Sequence, residues 1–154
     1  MKAFDLEEVK DFIKNSSMES KVYIGCDSER YRKNGVWHAE YSTAIVIHKD
    51  SNKGCKVFGK IDREIDYDQK KEKPALRLMN EVYRVSEMYL SLSETIGDRE
   101  FELHLDINTD EMHGSSCVIT QATGYIRGVC GVTPKFKPDA STASFCADRL
   151  KELI

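Results

Sequence analysis

The sequence predicts an α/β fold in which a five-stranded mixed sheet, a three-strand antiparallel meander plus two crossover strands, is flanked by helices and preceded by an extra N-terminal helix. Three observations predict it. Asn34-Gly35 lies between two β-rich runs, the strongest short hairpin signal. Leu78, Val82, Val85, Tyr89 and Leu92 recur at the three-or-four spacing of a helix lying on a sheet. Two further β-rich runs, each followed by helical periodicity, complete the order strand, strand, strand, helix, strand, helix, strand, helix.

Each element has its own justification. From Asp5 to Asn15, Leu6, Val9, Phe12 and Ile13 have helical spacing, with Asp5 and Glu8 as cap and capping partner and Phe4 and Val9 as the hydrophobic staple. Lys21 to Cys26 is a β-branched and aromatic run that is expected to end at Asp27-Ser28. Val36 to His48 forms the second strand, and Cys55 to Ile65 the third, after the turn at Asp50 to Gly54. Pro74 fits the first turn of a long helix running to Thr95. Phe101 to Ile107 alternates as a strand ending at a second aspartate, Asp106. A helix from Ser116 to Arg127 is expected to stop at Gly128 to Gly131, a short strand follows at Thr133 to Lys137, and a last helix begins near Ser141.

A length of 154 residues fits one domain, residues 1–154, with one core. With 40% hydrophobic residues, only 3 Pro and no biased tract, disorder is excluded. The net charge of −3 argues against a protein that coats nucleic acid by bulk charge, but not against a nuclease whose site gathers acids around cations. The five cysteines are odd in number and form no C-x-x-C pair, so neither a disulfide framework nor a zinc site is indicated; they read as reduced and mostly buried. The first residues lack the apolar core of a signal peptide and no apolar run is long enough to span a bilayer, so the cytoplasm is the expected location, with no membrane partner.

The expected fold brings Asp27 and Asp106 to neighbouring strands near the point where strand order switches, the usual ligand position in such sheets. It adds one carboxylate from the long helix and one from the last. Two-metal phosphoryl chemistry needs such hard oxygen ligands from separate elements. Strand, meander and crossover order is that of the RNase H-like fold.

Particular motifs strengthen this. Ile24-Gly25-Cys26-Asp27-Ser28, His104-Leu105-Asp106-Ile107-Asn108, Gly124-Tyr125-Ile126-Arg127-Gly128 and Lys137-Pro138-Asp139-Ala140-Ser141, followed by Ala147-Asp148-Arg149, resemble the YkuK family of RNase H-like proteins across nearly the whole chain. The resemblance implies a metal-dependent nuclease. Asp27-Ser28 is similar to the first-strand Asp and small residue of RNase H enzymes, Asp106 to the Asp ending their fourth strand, and Ala147-Asp148-Arg149-Leu150 to their last helix. Their helical Glu lies in the first helical turn, whereas here Glu72 precedes Pro74 and Glu81 lies about two turns inside. Glu81 is preferred because Arg77-Leu78 followed by Glu81-Val82 looks like the YkuK pattern.

The expected catalytic set is therefore Asp27, Glu81, Asp106 and Asp148 as metal ligands, with Asp139 in reserve, holding Mg²⁺ or, in its place, Mn²⁺. Each has a plainer alternative: Asp27 and Asp106 as strand-end turn residues, Asp139 as a helix cap, Asp148 in an exposed pair with Lys151 or Arg149. Glu81 equally reads as part of a solvated ion-pair ladder with Arg77 and Arg84. Asp27 and Glu29 spell the Asp-x-Glu of proofreading exonucleases, but Ser144 stands where those enzymes place Tyr or His. His38 and His104 read as packed strand residues, and His113, in the loop after Asp106, as either a proton shuttle or an exposed loop residue.

The expected partner is nucleic acid, with RNA, DNA and hybrid all open. Its phosphates are met by Arg30, Arg32 and Lys33 in the first hairpin and by Lys135 and Lys137 beside the last strand. Tyr31 and Trp37 offer rings for stacking on bases, Trp37 reading better as core. Two rivals stand beside the nuclease: a binding module of the same architecture without turnover, and an ATP-using relative, disfavoured because no glycine-rich phosphate loop follows a strand.

Overall fold

The computed structural model describes residues 4–49, 54–66, 75–108 and 118–137. Asp5 caps helix α1 (Leu6–Lys14): its side chain accepts from the Glu7 N–H at 3.1 Å, while Glu7 and Glu8 at the start and Lys14 at the end complement the helix dipole. The cap therefore engages the second helical position rather than Glu8. Val9 and Ile13 are the buried pair of this helix.

Strands β1 (Lys21–Lys33) and β2 (Val36–His48) pair residue for residue, and Asn34 and Gly35 between them have φ of 53° and 77°, the positive values a two-residue primed turn demands. β1 does not end at Asp27 but continues to Lys33, because β2 pairs with it through the polar stretch up to Lys33↔Val36. Strand β3 (Cys55–Ile65) lies antiparallel to β2 without a bulge, from His48↔Cys55 to His38↔Ile65.

Helix α2 (Ala75–Ile96) crosses over to strand β4 (Phe101–Asn108), which runs parallel to β1 from Val22↔Phe101 to Cys26↔Leu105. Helix α3 (Ile119–Cys130) then leads to strand β5 (Lys135–Lys137), parallel to β4. α3 runs on through Gly128 and stops at Gly131, whose φ of 74° takes the left-handed cap. The sheet order β3-β2-β1-β4-β5, with flanking helices and the extra α1, is the mixed α/β architecture that the element order predicts.

Strand alternation sorts the side chains. Val22, Ile24 and Cys26 of β1 share one face with Leu103 and Leu105 of β4, and all five are fully buried. Leu78, Val82, Val85 and Leu92 of α2 join them in the core, each completely buried aliphatic side chain contributing about 1.5–3 kcal/mol. α1 packs on the same face, with Phe4 and Phe12 edge-on to Phe58 of β3 at 6.2 and 5.7 Å, and α3 packs on α2 through Tyr83 and Tyr125 at 5.0 Å. The other face carries Tyr23, Gly25 and Asp27 of β1 beside Ser42, Ala44 and Val46 of β2, the last three fully buried. No helix of the described residues is long and apolar enough to cross a membrane.

Candidate functional site

The paired part of β1 and β4 ends at Cys26↔Leu105, and the next residue on each strand is an aspartate: Asp27 and Asp106. Continuing that register sets them on neighbouring backbones, about 5 Å apart in a sheet, and alternation directs both to the face of Gly25 and His104. β1 is also where the sheet changes from antiparallel to parallel neighbours, the switch point at which such sheets bind ligands. Asp27 is buried, 8% exposed, opposite the fully buried Ser42. Asp106 lies in an irregular stretch of β4, where the pairing with β5 jumps from His104↔Lys135 to Asn108↔Lys137. Strand irregularities of this kind recur beside active sites.

Glu81 approaches from α2. Its carboxylate, 1% exposed, accepts a hydrogen bond from the hydroxyl of Ser28, the residue after Asp27. Arg77, one turn earlier on α2, donates to the same hydroxyl at 2.8 Å and reaches the Ser28 carbonyl at 3.5 Å. The exposed ladder with Arg77 and Arg84 is thus replaced by a buried link between α2 and β1. Arg84 turns instead to Asp62 at 2.7 Å and Glu64 at 3.4 Å, over the ring of Tyr41. Glu81 and Ser28 lie on the helix-covered face, whereas Asp27 points to the other. Burial, reinforced by the charge of Glu81, pushes the Cys26 thiol well above its usual range, so Cys26 is a packed thiol rather than a nucleophile. Ser28 and Arg77 are the positioning residues that sequence reasoning missed; the signal was Arg77 one turn before Glu81 and a small hydroxyl directly after Asp27.

Beyond Asp27, the β1–β2 hairpin is basic and aromatic. Arg30 is not a free phosphate ligand: its Nε lies 2.6 Å from Asp66, which is 1% exposed, and its guanidinium stacks 4.3 Å from the Trp37 ring centre. Arg32 stacks on the same ring at 4.9 Å, so half-buried Trp37 is clasped between two arginines rather than sunk in the core. Tyr31 stacks with His38 across the hairpin, rings 25° apart, while Lys33 is exposed at the turn.

The sequence matches the ribonuclease H-like family over residues 5–152. The chain belongs to that family. Comparison with curated proteins and with solved structures gives no match.

In this ribonuclease H-like chain, His104 is a packed histidine: it is 2% exposed, its ring meets Tyr23 at 5.3 Å, and burial lowers its proton affinity, opposed by the Glu102 carboxylate 3.3 Å away. Glu102 in turn bonds Lys21, which raises the lysine above its ordinary range. Lys135 of β5 is exposed beside His104 in register, and Lys137 pairs with Asn108 through the backbone. Among the described residues, Cys26, Cys55 and Cys130 are all free thiols, Cys26 and Cys130 buried and Cys55 exposed.

Asp139, Asp148 and His113, with the expected last helix, lie outside the described residues. Among the described residues, no group of three or more His, Cys, Asp or Glu is gathered closely enough to hold a metal ion. The described part of the site is therefore the Asp27–Asp106 pair, with Glu81 reaching β1 from the opposite face through Ser28.

Proposed function

We propose that this chain is a divalent-metal-dependent nuclease that hydrolyses phosphodiester bonds at Asp27 and Asp106, with Asp148 as a further ligand and Asp139 in reserve; Glu81, expected as a ligand from the sequence, instead supports β1 from the opposite face through Ser28. The observation that carries this reading is the position of Asp27 and Asp106 on adjacent parallel strands, one residue beyond their last pair, at the switch point of a ribonuclease H-like sheet. The finer likeness to the YkuK family points the same way. The donor set is hard oxygen, which fits Mg²⁺, with Mn²⁺ able to replace it. Such cations, when bound, neutralise phosphate charge and acidify water.

The chain's own residues divide the remaining work. The two aspartates supply the negative charge that retains cations, and the burial of Asp27 limits competition from bulk water. Arg32 and Lys33 on the hairpin and Lys135 and Lys137 at β5 meet phosphates, while Arg30 holds Trp37 and Asp66 in place. His113 is the candidate for delivering a proton to the leaving oxygen. The substrate is nucleic acid, and discrimination among RNA, DNA and hybrid rests on contacts with the 2′-OH.

The test is incubation of purified protein with single-stranded, duplex and hybrid substrates plus Mg²⁺ or Mn²⁺, beside Asp27→Asn and Asp106→Asn. Metal-dependent cleavage lost in both variants supports the reading, and equal cleavage by the variants refutes it. A second reading, nucleic-acid binding without turnover, is favoured by the Arg30–Trp37–Arg32 and Tyr31–His38 stacks on the hairpin. It predicts binding that is indifferent to both substitutions.

A further inference from the structure

Among the described residues, β3 is an outer strand of the sheet, paired with β2 on one side only. It is 11 residues long and its register with β2 has no bulge. Long, regular open edges invite another strand. Two backbone bonds fix which of its groups point outward. The Asp66 N–H donates to the Trp37 carbonyl and the Lys49 N–H to the Gly54 carbonyl, both at 3.0 Å, so even-numbered residues turn their backbone groups toward β2. Odd-numbered residues from Val57 to Ile65 therefore aim N–H and C=O at the open edge.

We propose that β3 pairs antiparallel with β3 of a second copy of this chain about a two-fold axis at Ile61, joining two sheets into one. A two-fold axis normal to the sheet keeps each face on its own side, so only registers centred on a residue are allowed. Centring on Lys60, Asp62 or Arg63 sets like charges against each other at the axis, which is destabilising. Centring on Ile61 sets Ile61 against itself, Lys60 against Asp62 twice, and Val57 against Ile65 twice, with no like charges opposed. Ile65 is 44% exposed, and this register covers it. Lys60 has no carboxylate partner among the described residues, and Asp62, which accepts from Arg84, keeps its side chain 40% exposed. Centring on Gly59 also avoids like charges but leaves Ile65 beyond the paired stretch.

Sedimentation of the full chain across the micromolar range, with amide exchange followed residue by residue, tests this. The expected result is a dimer in which the Val57, Ile61, Arg63 and Ile65 amides are protected. Ile61→Asp, which sets two carboxylates on the axis, gives a monomer with those amides exposed and the circular dichroism unchanged. Should Ile61→Asp fail to fold, Lys60→Asp serves instead and weakens the dimer by about tenfold or more, since a favourable cross-strand pair becomes unfavourable twice. A monomer throughout that range, a dimer unaffected by Lys60→Asp, or a dimer whose Ile65 amide exchanges freely overturns the proposal.

Discussion

The hydroxyl of Ser28 on β1 donates to the buried carboxylate of Glu81 on α2, and Arg77 donates to that hydroxyl at 2.8 Å. This short chain ties the crossover helix to the strand that carries Asp27, so the same contact serves stability and site geometry. Removing the hydroxyl in Ser28→Ala breaks two hydrogen bonds to charged groups, at an expected cost of about 1–3 kcal/mol in urea unfolding. Glu81→Gln keeps an acceptor for Ser28. This variant is expected to unfold within about 1 kcal/mol of the parent and to keep metal-dependent cleavage, because Glu81 lies on the face of the sheet away from Asp27 and Asp106. Loss of cleavage in a folded Glu81→Gln would contradict a purely supporting role.

Arg30 and Asp66 form the second buried link, and it predicts a different phenotype. Arg30→Ala removes the guanidinium from beside a carboxylate that is 1% exposed, at an expected cost of about 3 kcal/mol. Lys33→Ala, at the exposed hairpin tip, is expected to leave the unfolding midpoint in place and to reduce the salt dependence of nucleic-acid binding by about one phosphate contact. Reversed results would return Arg30 to the substrate-binding surface.

Lys21, Glu102 and His104 give the fold a predicted acid sensitivity. Burial alone would raise the Glu102 carboxyl, but the bonds from Lys21 and His104 win and hold it below its ordinary 4.5. A carboxyl whose folded value is depressed adds stability above its unfolded value and loses it as pH falls through the folded one. Glu102→Gln is therefore expected to be less stable than the parent by about 1 kcal/mol at neutral pH, the gap closing below pH 4.5. Chemical denaturation at a series of pH values reads this directly, and a gap that widens in acid would contradict it.

At the alkaline end, burial pushes the Tyr41 phenol up to about 12 against the bond from Asn80 and the nearby Arg84, which lower it. A raised folded value means that the native state holds this proton more tightly. Its contribution is complete below the ordinary 10 and falls away as pH rises toward 12. Ultraviolet titration of the parent against Tyr41→Phe is expected to show one late-ionising phenol missing from the variant. A difference spectrum with a midpoint near the ordinary value would refute the assignment.

Much of the architecture was legible because local signals and tertiary structure agree. Asn34-Gly35 forms the hairpin it predicts, the limits of β3 match its alternation, and the apolar stripe of α2 faces the sheet. Where local chemistry misled, a distant partner was responsible. Asp27-Ser28-Glu29-Arg30 reads as a strand end, yet the strand continues because β2 supplies its ladder, while Glu81, Arg77 and Asp66 satisfy Ser28 and Arg30 from elements 36 or more residues away. No local pattern encodes such contacts. The helix stop expected across Gly128 to Gly131 falls at its last residue, Gly131, which takes the left-handed cap. For the candidate site, the sequence marks Asp27 and Asp106, which follow the last β1–β4 pair, whereas the burial of Glu81 through Ser28 depends on how α2 lies on the sheet.

Mn²⁺ binding to the nucleic-acid-free protein, followed by electron paramagnetic resonance or calorimetry, tests most directly whether Asp27 and Asp106 share a cation. Binding by the parent is expected to weaken by about a hundredfold or more in Asp27→Asn and equally in Asp106→Asn, since even second-sphere changes cost 10–100-fold. The double variant should lose little more than either single one, because each removes half of the same site. Two independent, additive losses, or unchanged binding in either single variant, would contradict the shared site.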